Sequence, residues 1–485
     1  MATIVMKFGG TSVESAERIR RAAALVGDYA DDHRIVVVVS AFAKTTDQIL
    51  ECANAAAARD QERLNTLLSN LERRHHTVIE DLFSSNRASV VREAVQNVVS
   101  QLREFCDALL QLHSLTPQLL DAALPIGERM SAQVFAAVLN DMGLESSYID
   151  ASEIVITDQH FGDASANMEI TRNRAQQRLR PLLETGCIPV VTGYCGSTET
   201  GQPTTLGRGG SDTSGTILGA ALKADEVWIW TDVDGILTAD PRICPDARVL
   251  PEITFAEAIE LSYYGAKVIH RKAVRHAMES GIPVRIKNSF KPDLPGTKIT
   301  SISLGSAGPI KAVTAMSKAT LVTIRVGSEL YLAAEILGRL FLRLGHDHAD
   351  ILFSMQSSAE NSLGLVLREE ETERALASIE RVFRSELRQR IIESVNVQRE
   401  LAVVAVMGEN MKTTPDVLAR LFTAVSRCHV NVLAATQGAN ELSICFAIPS
   451  HSAPDVVRSV HAEFFPNPDL SVADSGNTAL EKSLG

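Results

Sequence analysis

Residues 4–12 read IVMKFGGTS. A short apolar stretch runs into Lys7, and two glycines and two hydroxyls follow. Gly9 and Gly10 let backbone N–H groups approach an anion closely. Thr11 and Ser12 add hydroxyl donors, and the helix-like run beyond them offers its N-terminus to a phosphate. The lysine precedes the glycines, whereas in a Walker A loop it follows them, in GK[ST]. The stretch therefore reads as a strand whose terminal lysine projects over the C-terminal edge of a sheet. Taken alone, it is equally well explained by a glycine turn with a solvated lysine, so the surrounding chain has to decide.

On either side of this stretch the chain alternates strand and helix. Residues 15–27 read as a helix, and RIVVVVS (34–40) is a continuous apolar strand of the kind covered on both faces. Strand signals return at 147–150, 188–192, 227–231 and 284–287, with helices between them. This rhythm predicts an α/β domain over 1–305, a mostly parallel sheet sandwiched by helices. In such sheets ligands bind outside the carboxyl ends of the strands. Residues 60–115 interrupt the pattern. Val91, Val95, Val98, Leu102, Phe105, Leu109 and Leu112 form a heptad stripe, and Leu64, Leu68, Leu71, Val78 and Leu82 a similar one. A helical hairpin is expected, its plain role being packing, including at a subunit face. After Gly308 the order becomes β-α-β-β-α-β and then repeats. Two ferredoxin-like modules are expected, at 310–398 and 399–475, the last strand being LSV (470–472). Only a short polar tail follows.

Composition narrows the function classes. The 485 residues are 45% hydrophobic and 22% charged, as in a globular protein. A net charge of −12 without a basic block argues against a nucleic-acid partner. No apolar run approaches the roughly 20 residues of a membrane span, and no signal-peptide pattern opens the chain. Seven scattered cysteines form no CxxC pair, so no metal site is expected. Reduced thiols in cytoplasm are the simplest reading.

Four further stretches carry chemistry-bearing residues. In GRGGSDTSG (207–215), Arg208 is a planar fork suited to a carboxylate. Gly209 and Gly210 repeat the close-approach device, Ser211 donates, and Asp212 can orient Lys7 or a metal. A helix follows, so a second anion-binding turn sits in the same domain. In WTDVDGILTADPR (230–242), Thr231 and Asp232 end a strand and Arg242 adds a cation, although an acidic surface loop would look the same. YGAKVIH (264–270) places Lys267 and Val268 near a helix start, where a lone lysine is usually solvated. LPIGERMSA (124–132) places Glu128 at a helix start, where a carboxylate is often only a favourable cap.

KFGGTS, VVVVSAFAKTTD, LPIGERMSA, VTGYCGS, TTLGRGGSD, WTDVDGILTADPR and GAKVIH occur in this order and together resemble the aspartate kinases of the amino acid kinase family. The resemblance covers essentially the whole chain, with 310–475 resembling paired ACT regulatory domains. It implies ATP-dependent phosphorylation of L-aspartate to 4-phospho-L-aspartate, the first step toward lysine, threonine, methionine and diaminopimelate. It assigns Lys7 and Asp212 to catalysis, and Gly9, Gly10, Thr11, Ser12, Gly209 and Gly210 to phosphate. Ser40, Thr45, Glu128, Arg208 and Ser211 would hold aspartate, Arg208 at its α-carboxylate and Glu128 at its α-ammonium. Thr231, Asp232, Leu237, Arg242, Lys267 and Val268 would hold ATP, with Mg²⁺ bound mainly through ATP and water. Thr213, Leu237 and Arg271 depart from the family pattern, which usually has an aromatic, a tyrosine and a proline there.

The resemblance also implies a feedback effector, threonine or lysine, with threonine slightly favoured. The pocket would involve Met355, Gln356, Ser357 and Ser358 in one module, and Met407, Gly408, Gln437 and Gly438 in the other. Pairing modules from two chains would give a homo-oligomer, a dimer or tetramer. Two rival readings are a same-fold kinase for another small acid and a catalytically dead amino-acid sensor. Glu128 in GERMSA opposes the first, and intact Lys7, Arg208 and Asp212 oppose the second.

Overall fold

A computed structural model describes residues 1–466 except 113, 266–267, 303–307, 328–329, 348, 358–360 and 439. Lys267, Ser358 and the LSV strand expected at 470–472 lie outside the described residues. The chain forms two compact units. The first comprises Met1–Ile236, Val249–Ile259 and Lys267–Leu304; the second comprises Leu237–Arg248, Glu260–Ala266 and Gly305–Gly485.

In the first unit, Ala2–Phe8 is central in an eight-stranded sheet. Its order is Ser146–Ile149, Ile188–Thr192, His33–Val39, Ala2–Phe8, Glu226–Thr231, Val284–Asn288, Thr297–Thr300 and Glu252–Thr254. The first six strands run parallel, and only Thr297–Thr300 turns antiparallel to its neighbour Val284–Asn288. The valine run Val36–Val39 is fully buried, as a strand covered on both faces requires. Helix Ala16–Ala30 starts where the side chain of Ser15 accepts a hydrogen bond from the Arg18 N–H, a standard N-cap.

The expected hairpin is present as helices Gln61–Leu82 and Ser85–Leu112. Its two stripes join the main core of this unit: Leu64, Leu68, Leu71, Val95 and Leu102 are all buried there. The hairpin therefore packs inward, against helices Thr45–Ala57 and Ile126–Asp141.

Helix Gly210–Leu222 lies unusually close to the sheet. A Cβ on Gly215 would lie 3.3 Å from the Lys7 Cβ, and one on Gly219 only 2.5 Å from a Val227 methyl. Hydrogen at these two positions lets the helix sit against strands Ala2–Phe8 and Glu226–Thr231. That contact brings its first turn to the end of the lysine strand.

The second unit departs from two modules in sequence. Its sheet has the order Ile351–Ser357, Ser362–Arg368, Ala312–Val326, Ile392–Met407, Ser443–Pro449 and Ala434–Gln437. The expected strands IIESVNV and ELAVVAVM are one strand, Ile392–Met407, and the strand expected at 320–326 begins at Ala312. These two long strands pair antiparallel along their length, Ala312 opposite Met407 and Ile324 opposite Val395. Ile310 and Val313 join the core containing Val404, Leu421 and Val457, whereas Val322 and Ile324 join the core containing Ile336 and Ile379. The first module is thus inserted into the second, whose first-built strand is 312–317. The boundary drawn at 399 falls inside a continuous strand. Segment 237–248, drawn with the first domain, packs here through Ala239 and Cys244. Its Thr238 hydroxyl meets the buried His461 Nε2 at 2.9 Å.

Gly219→Ala should lower the unfolding free energy by about 1–3 kcal/mol, the usual range for overpacking a tight core contact. Urea denaturation monitored by tryptophan fluorescence checks this. An unchanged midpoint would contradict the close helix–sheet approach.

Candidate active site

Lys7, one residue before the end of the central strand, has 8% of its surface exposed, and its Nζ lies 2.6 Å from Asp212 Oδ1. Asp212 sits in the first turn of helix Gly210–Leu222, where a carboxylate also interacts favourably with the helix dipole. The pair forms part of the wall of a cleft of about 500 Å³ at the carboxyl edge of the sheet. The cleft brings together Lys7, Gly10, Ser40, Glu128, Arg208, Gly209, Gly210, Ser211 and Asp212, residues far apart in sequence. Arg208 is exposed at this cleft, with no hydrogen bond or ion pair among the described residues.

Glu128, in the first turn of helix Ile126–Asp141, is 3% exposed. Burial pushes its carboxyl up to about 8, against the weaker opposing pull of the Ala41 and Glu128 backbone N–H groups and of Lys7. Its Oε2 has no hydrogen-bond partner among the described residues. Thr45 is completely buried, and its hydroxyl is likewise without a partner. It stands behind the cleft wall, and its neighbour Thr46 lines the cleft instead. Buried polar atoms without partners are uncommon in native structures. Here one of them opens onto a cleft that a ligand can enter.

The glycine turns work differently from the simplest expectation. The Gly9 N–H donates to the Trp230 carbonyl at 3.2 Å, and the Gly210 N–H to the Gly207 carbonyl at 3.0 Å. These two amides are committed to the fold and are not free for phosphate. Gly209 is left-handed, with φ +73, and a Cβ there would lie 2.3 Å from the His270 Cβ. A Cβ on Gly210 would lie 2.6 Å from the Tyr194 ring. Glycine is thus required here for steric reasons. Ser12 is buried and its hydroxyl meets that of Ser289 at 3.0 Å. The Thr11 carbonyl accepts from Arg18 at 2.7 Å.

The residues expected to hold nucleotide are more dispersed. Thr231 ends strand Glu226–Thr231 and donates to Asp232, which is exposed. Val268 is half-buried in the turn before helix Arg271–Ser280. None of these three lines the cleft. Leu237 and Arg242 belong to the second unit. The Arg242 guanidinium is held by Asp240, with contacts from 2.6 Å.

Several cleft residues escaped the sequence reading. Tyr194 and Lys44 both line the cleft in left-handed conformations, φ +71 and +65. A bulky residue in this region is strained and persists only where its surroundings fix it. For Tyr194 they do: its N–H donates to Ser214 Oγ and its carbonyl accepts from the Leu206 N–H, both at 2.9 Å. Asp121, fully buried, accepts from the N–H of Gly162 and from the N–H and hydroxyl of Thr205. It fixes two segments that end at cleft residues Gly162 and Gly207. Nothing in the local sequence announces a positive φ at a tyrosine or a lysine.

In the second unit, the strands expected to carry effector contacts are the two edges of the sheet. Gln356 on Ile351–Ser357 and Gln437 on Ala434–Gln437 are exposed, and the Cα atoms of these two strands approach within 8 Å. Met355, Ser357 and Gly438 are half-buried. Met407 is buried, and the Gly408 N–H donates to the Leu442 carbonyl, so this pair is built into the fold.

Residues 2–288 match the model of the amino acid kinase family, and 404–464 match an ACT domain model. The chain is 32% identical over 487 residues to aspartokinase 1, chloroplastic, of Arabidopsis thaliana, covering 97% of this chain and 81% of that protein. It is 30% identical over 476 residues to the bifunctional aspartokinase/homoserine dehydrogenase 1, chloroplastic, of the same plant, covering 95% of this chain and 51% of that protein. The chain spans about half the length of such bifunctional relatives. Its fold is similar to E. coli aspartokinase III in complex with aspartate and ADP, with TM-score 0.81 and 28% identity over 96% of this chain and 100% of that one. With the same enzyme in complex with lysine and aspartate the TM-score is 0.77 at 28% identity, over 96% and 99%.

Glu128 should be protonated at neutral pH. The folded protein keeps this proton to about pH 8, whereas the ordinary value is 4.5. Between these values the folded state holds more protons than the unfolded chain, so Glu128 lowers stability as pH rises through that window. Infrared difference spectra of wild type against Glu128→Gln should show a protonated carboxyl band at pH 7 that disappears near pH 8. A band already absent at pH 6 would contradict the burial argument.

Proposed function

Because the chain belongs to the amino acid kinase family and within it to the aspartokinases, we propose that it phosphorylates the β-carboxylate of L-aspartate with ATP, giving 4-phospho-L-aspartate. This is the first step of the pathway toward lysine, threonine, methionine and diaminopimelate. The observation that carries the reading is one cleft holding the Lys7–Asp212 pair, an unpartnered buried Glu128 oxygen and the exposed Arg208 fork. A cation site, an anion site and a phosphoryl site match the three groups of aspartate that must be held.

A β-carboxylate oxygen attacks the γ-phosphorus, the bond to the bridging β,γ-oxygen breaks, and ADP leaves with that electron pair. No proton has to move. Transfer between two anions depends on positioning and charge neutralisation. Lys7 neutralises the transferring group, a role supported by the Asp212 carboxylate that holds its ammonium at the cleft wall. Arg208 meets the α-carboxylate as a bidentate fork. Glu128 meets the α-ammonium, losing its proton to solvent as that cation arrives. Ser40 and Ser211 supply hydroxyls from the cleft wall, whereas Thr45, buried behind it, does not reach the substrate and its neighbour Thr46 takes that place. Thr231, Asp232 and Val268 are proposed for the nucleotide, with Lys267 by family resemblance. Magnesium is expected to arrive with ATP, held by phosphate and water oxygens. The cleft carboxylate of Asp212 is already engaged by Lys7.

An amino-acid effector, lysine or threonine, is proposed for the second unit, supported by the E. coli relative solved with lysine and by the exposed Gln356 and Gln437 edges. A homo-oligomer formed through this unit and a cytoplasmic location are proposed alongside. The seven free cysteines favour a reducing compartment. No helix among the described residues is long and apolar enough to cross a membrane.

A substrate panel of aspartate, glutamate and acetylglutamate with ATP tests the reaction, and turnover of aspartate alone is expected. Lys7→Ala should lower kcat about 10²-fold or more, the scale of losing one preorganised charge contact. A kcat within threefold of wild type would sink its role. Arg208→Lys should raise the aspartate KM far more than the ATP KM, and equal effects would move Arg208 to the nucleotide. For regulation, inhibition curves with lysine, threonine and methionine are compared on wild type and Gln437→Ala. No inhibition at millimolar concentration defeats the sensor reading. Inhibition unaltered by the mutation relocates the pocket.

A further inference from the structure

The helical hairpin touches the cleft through a loop that has no regular structure. Residues 40–44 join strand His33–Val39 to helix Thr45–Ala57 and supply Ser40, Ala41, Phe42, Ala43 and Lys44 to the cleft wall. Along the chain the loop is tied by the Ser40 N–H to the Phe8 carbonyl at 3.1 Å and by the Thr45 N–H to the Phe42 carbonyl at 2.9 Å. Sideways, two consecutive hairpin residues hold it. Arg74 Nη1 donates to the Ala43 carbonyl at 2.7 Å, across 31 positions of sequence. The His75 ring stacks on Phe42, with centroids 4.7 Å apart and planes 9° from parallel.

On its other side the loop leaves no slack. A Cβ on Gly10 would lie 2.9 Å from the Ala41 carbonyl and 3.4 Å from Ala43 atoms, and one on Gly127 would lie 2.8 Å from the Ala41 Cβ. The loop is therefore wedged between the hairpin, the glycine turn after Lys7 and the helix that carries Glu128. His75 is fully buried, its Nδ1 2.8 Å from the Leu71 carbonyl and its Nε2 without a partner among the described residues. The role of the ring toward Phe42 is that of a flat face, which a phenyl ring would also supply.

We propose that Arg74 and His75 are positioning residues for the substrate acid: from the hairpin they set residues 40–46, the loop and the first two residues of the helix after it, against the glycine turn and Glu128. The inference rests on the aspartate reading above. A charge-assisted hydrogen bond to a loop carbonyl is roughly twice as strong as a neutral one and fixes that carbonyl's direction. Reactive groups displaced by about 1 Å can lose on the order of 10²-fold in rate. The hairpin thus acts on the substrate through loop backbone that is also tied to the sheet at Ser40.

The test is steady-state kinetics with aspartate and ATP varied separately, together with hydrogen exchange of the substrate-free protein. Arg74→Ala should raise the aspartate KM about tenfold or more, leaving the ATP KM within about twofold. The amides of 40–46 should exchange faster while those of the main sheet do not. His75→Phe should stay near wild type, and His75→Ala should behave like Arg74→Ala. If Arg74→Ala does not fold, Arg74→Gln, which keeps a shorter N–H donor, is expected to show the same split with a smaller amplitude. An aspartate KM within twofold of wild type, equal rises in both KM values, or unchanged exchange at 40–46 overturns the proposal. If wild type phosphorylates a different acid, the aspartate reading fails and the same split is read on that acid. If it phosphorylates none, the exchange comparison alone decides the loop proposal.

Discussion

The ion pair between Lys7 and Asp212 is the contact around which the first unit is arranged. Its two side chains are 10% and 16% exposed. Removing two charges from water this far is seldom repaid by their mutual attraction alone. The pair is instead explained by what it holds ready: an ammonium at fixed position at the carboxyl edge of a parallel sheet. Two backbone elements must meet for it to exist, the central strand and helix Gly210–Leu222. Gly215 and Gly219 supply the missing volume that lets them meet. The lysine-before-glycine order is then physically reasonable. The cation comes from a strand buried on both sides, and the anion that orients it comes from a helix start more than 200 residues away.

The rest of the cleft is electrostatically incomplete, and incomplete in a patterned way. Glu128 is buried without enough partners, so it keeps a proton to about pH 8. Arg208 is a cation at the opposite extreme, exposed and without a partner among the described residues. On the aspartate reading proposed above, a zwitterion would satisfy both: its ammonium would stabilise the Glu128 carboxylate once that proton is released to solvent, and its carboxylate would fill the arginine fork. Tyr194 and Lys44 hold unfavourable backbone conformations at the same cleft, the kind of local strain that surrounding structure supports at binding sites. Together these features favour a small amino acid over a neutral ligand.

Much of this was legible in the sequence because it is encoded locally. The valine run, the two heptad stripes and the Gly-Gly-hydroxyl turns each report on a handful of neighbouring residues, and the elements stand where those signals put them. Lys7, Glu128, Arg208 and Asp212 were likewise readable as charges at strand ends or helix starts. What was not legible depends on distant partners. The Gly9 amide looks free until Trp230 is seen to accept from it. The inward packing of the hairpin depends on helices Thr45–Ala57 and Ile126–Asp141. The strand 312–317 was missed because SK (317–318) breaks its apolar pattern just where the chain passes from one module to the other.

That passage has a mechanical consequence. Lys318 and Glu400 are both left-handed, φ +63 and +58, and the ladder between the two long strands shifts register beside them. Each long strand is therefore two strands joined through an irregularity, as in a β-bulge, which bends the ladder without ending it. Modules joined by a flexible linker can move independently. Modules joined by two antiparallel strands, hydrogen-bonded to each other on both sides of the bend, cannot twist separately without breaking that ladder. On the effector reading proposed above, a ligand that favoured one arrangement of the edge strand Ile351–Ser357 would act on its neighbour Ser362–Arg368 and then on Ala312–Val326, which is already part of the second module. Insertion of one module into the other thus makes the backbone itself the element through which the two modules are coupled.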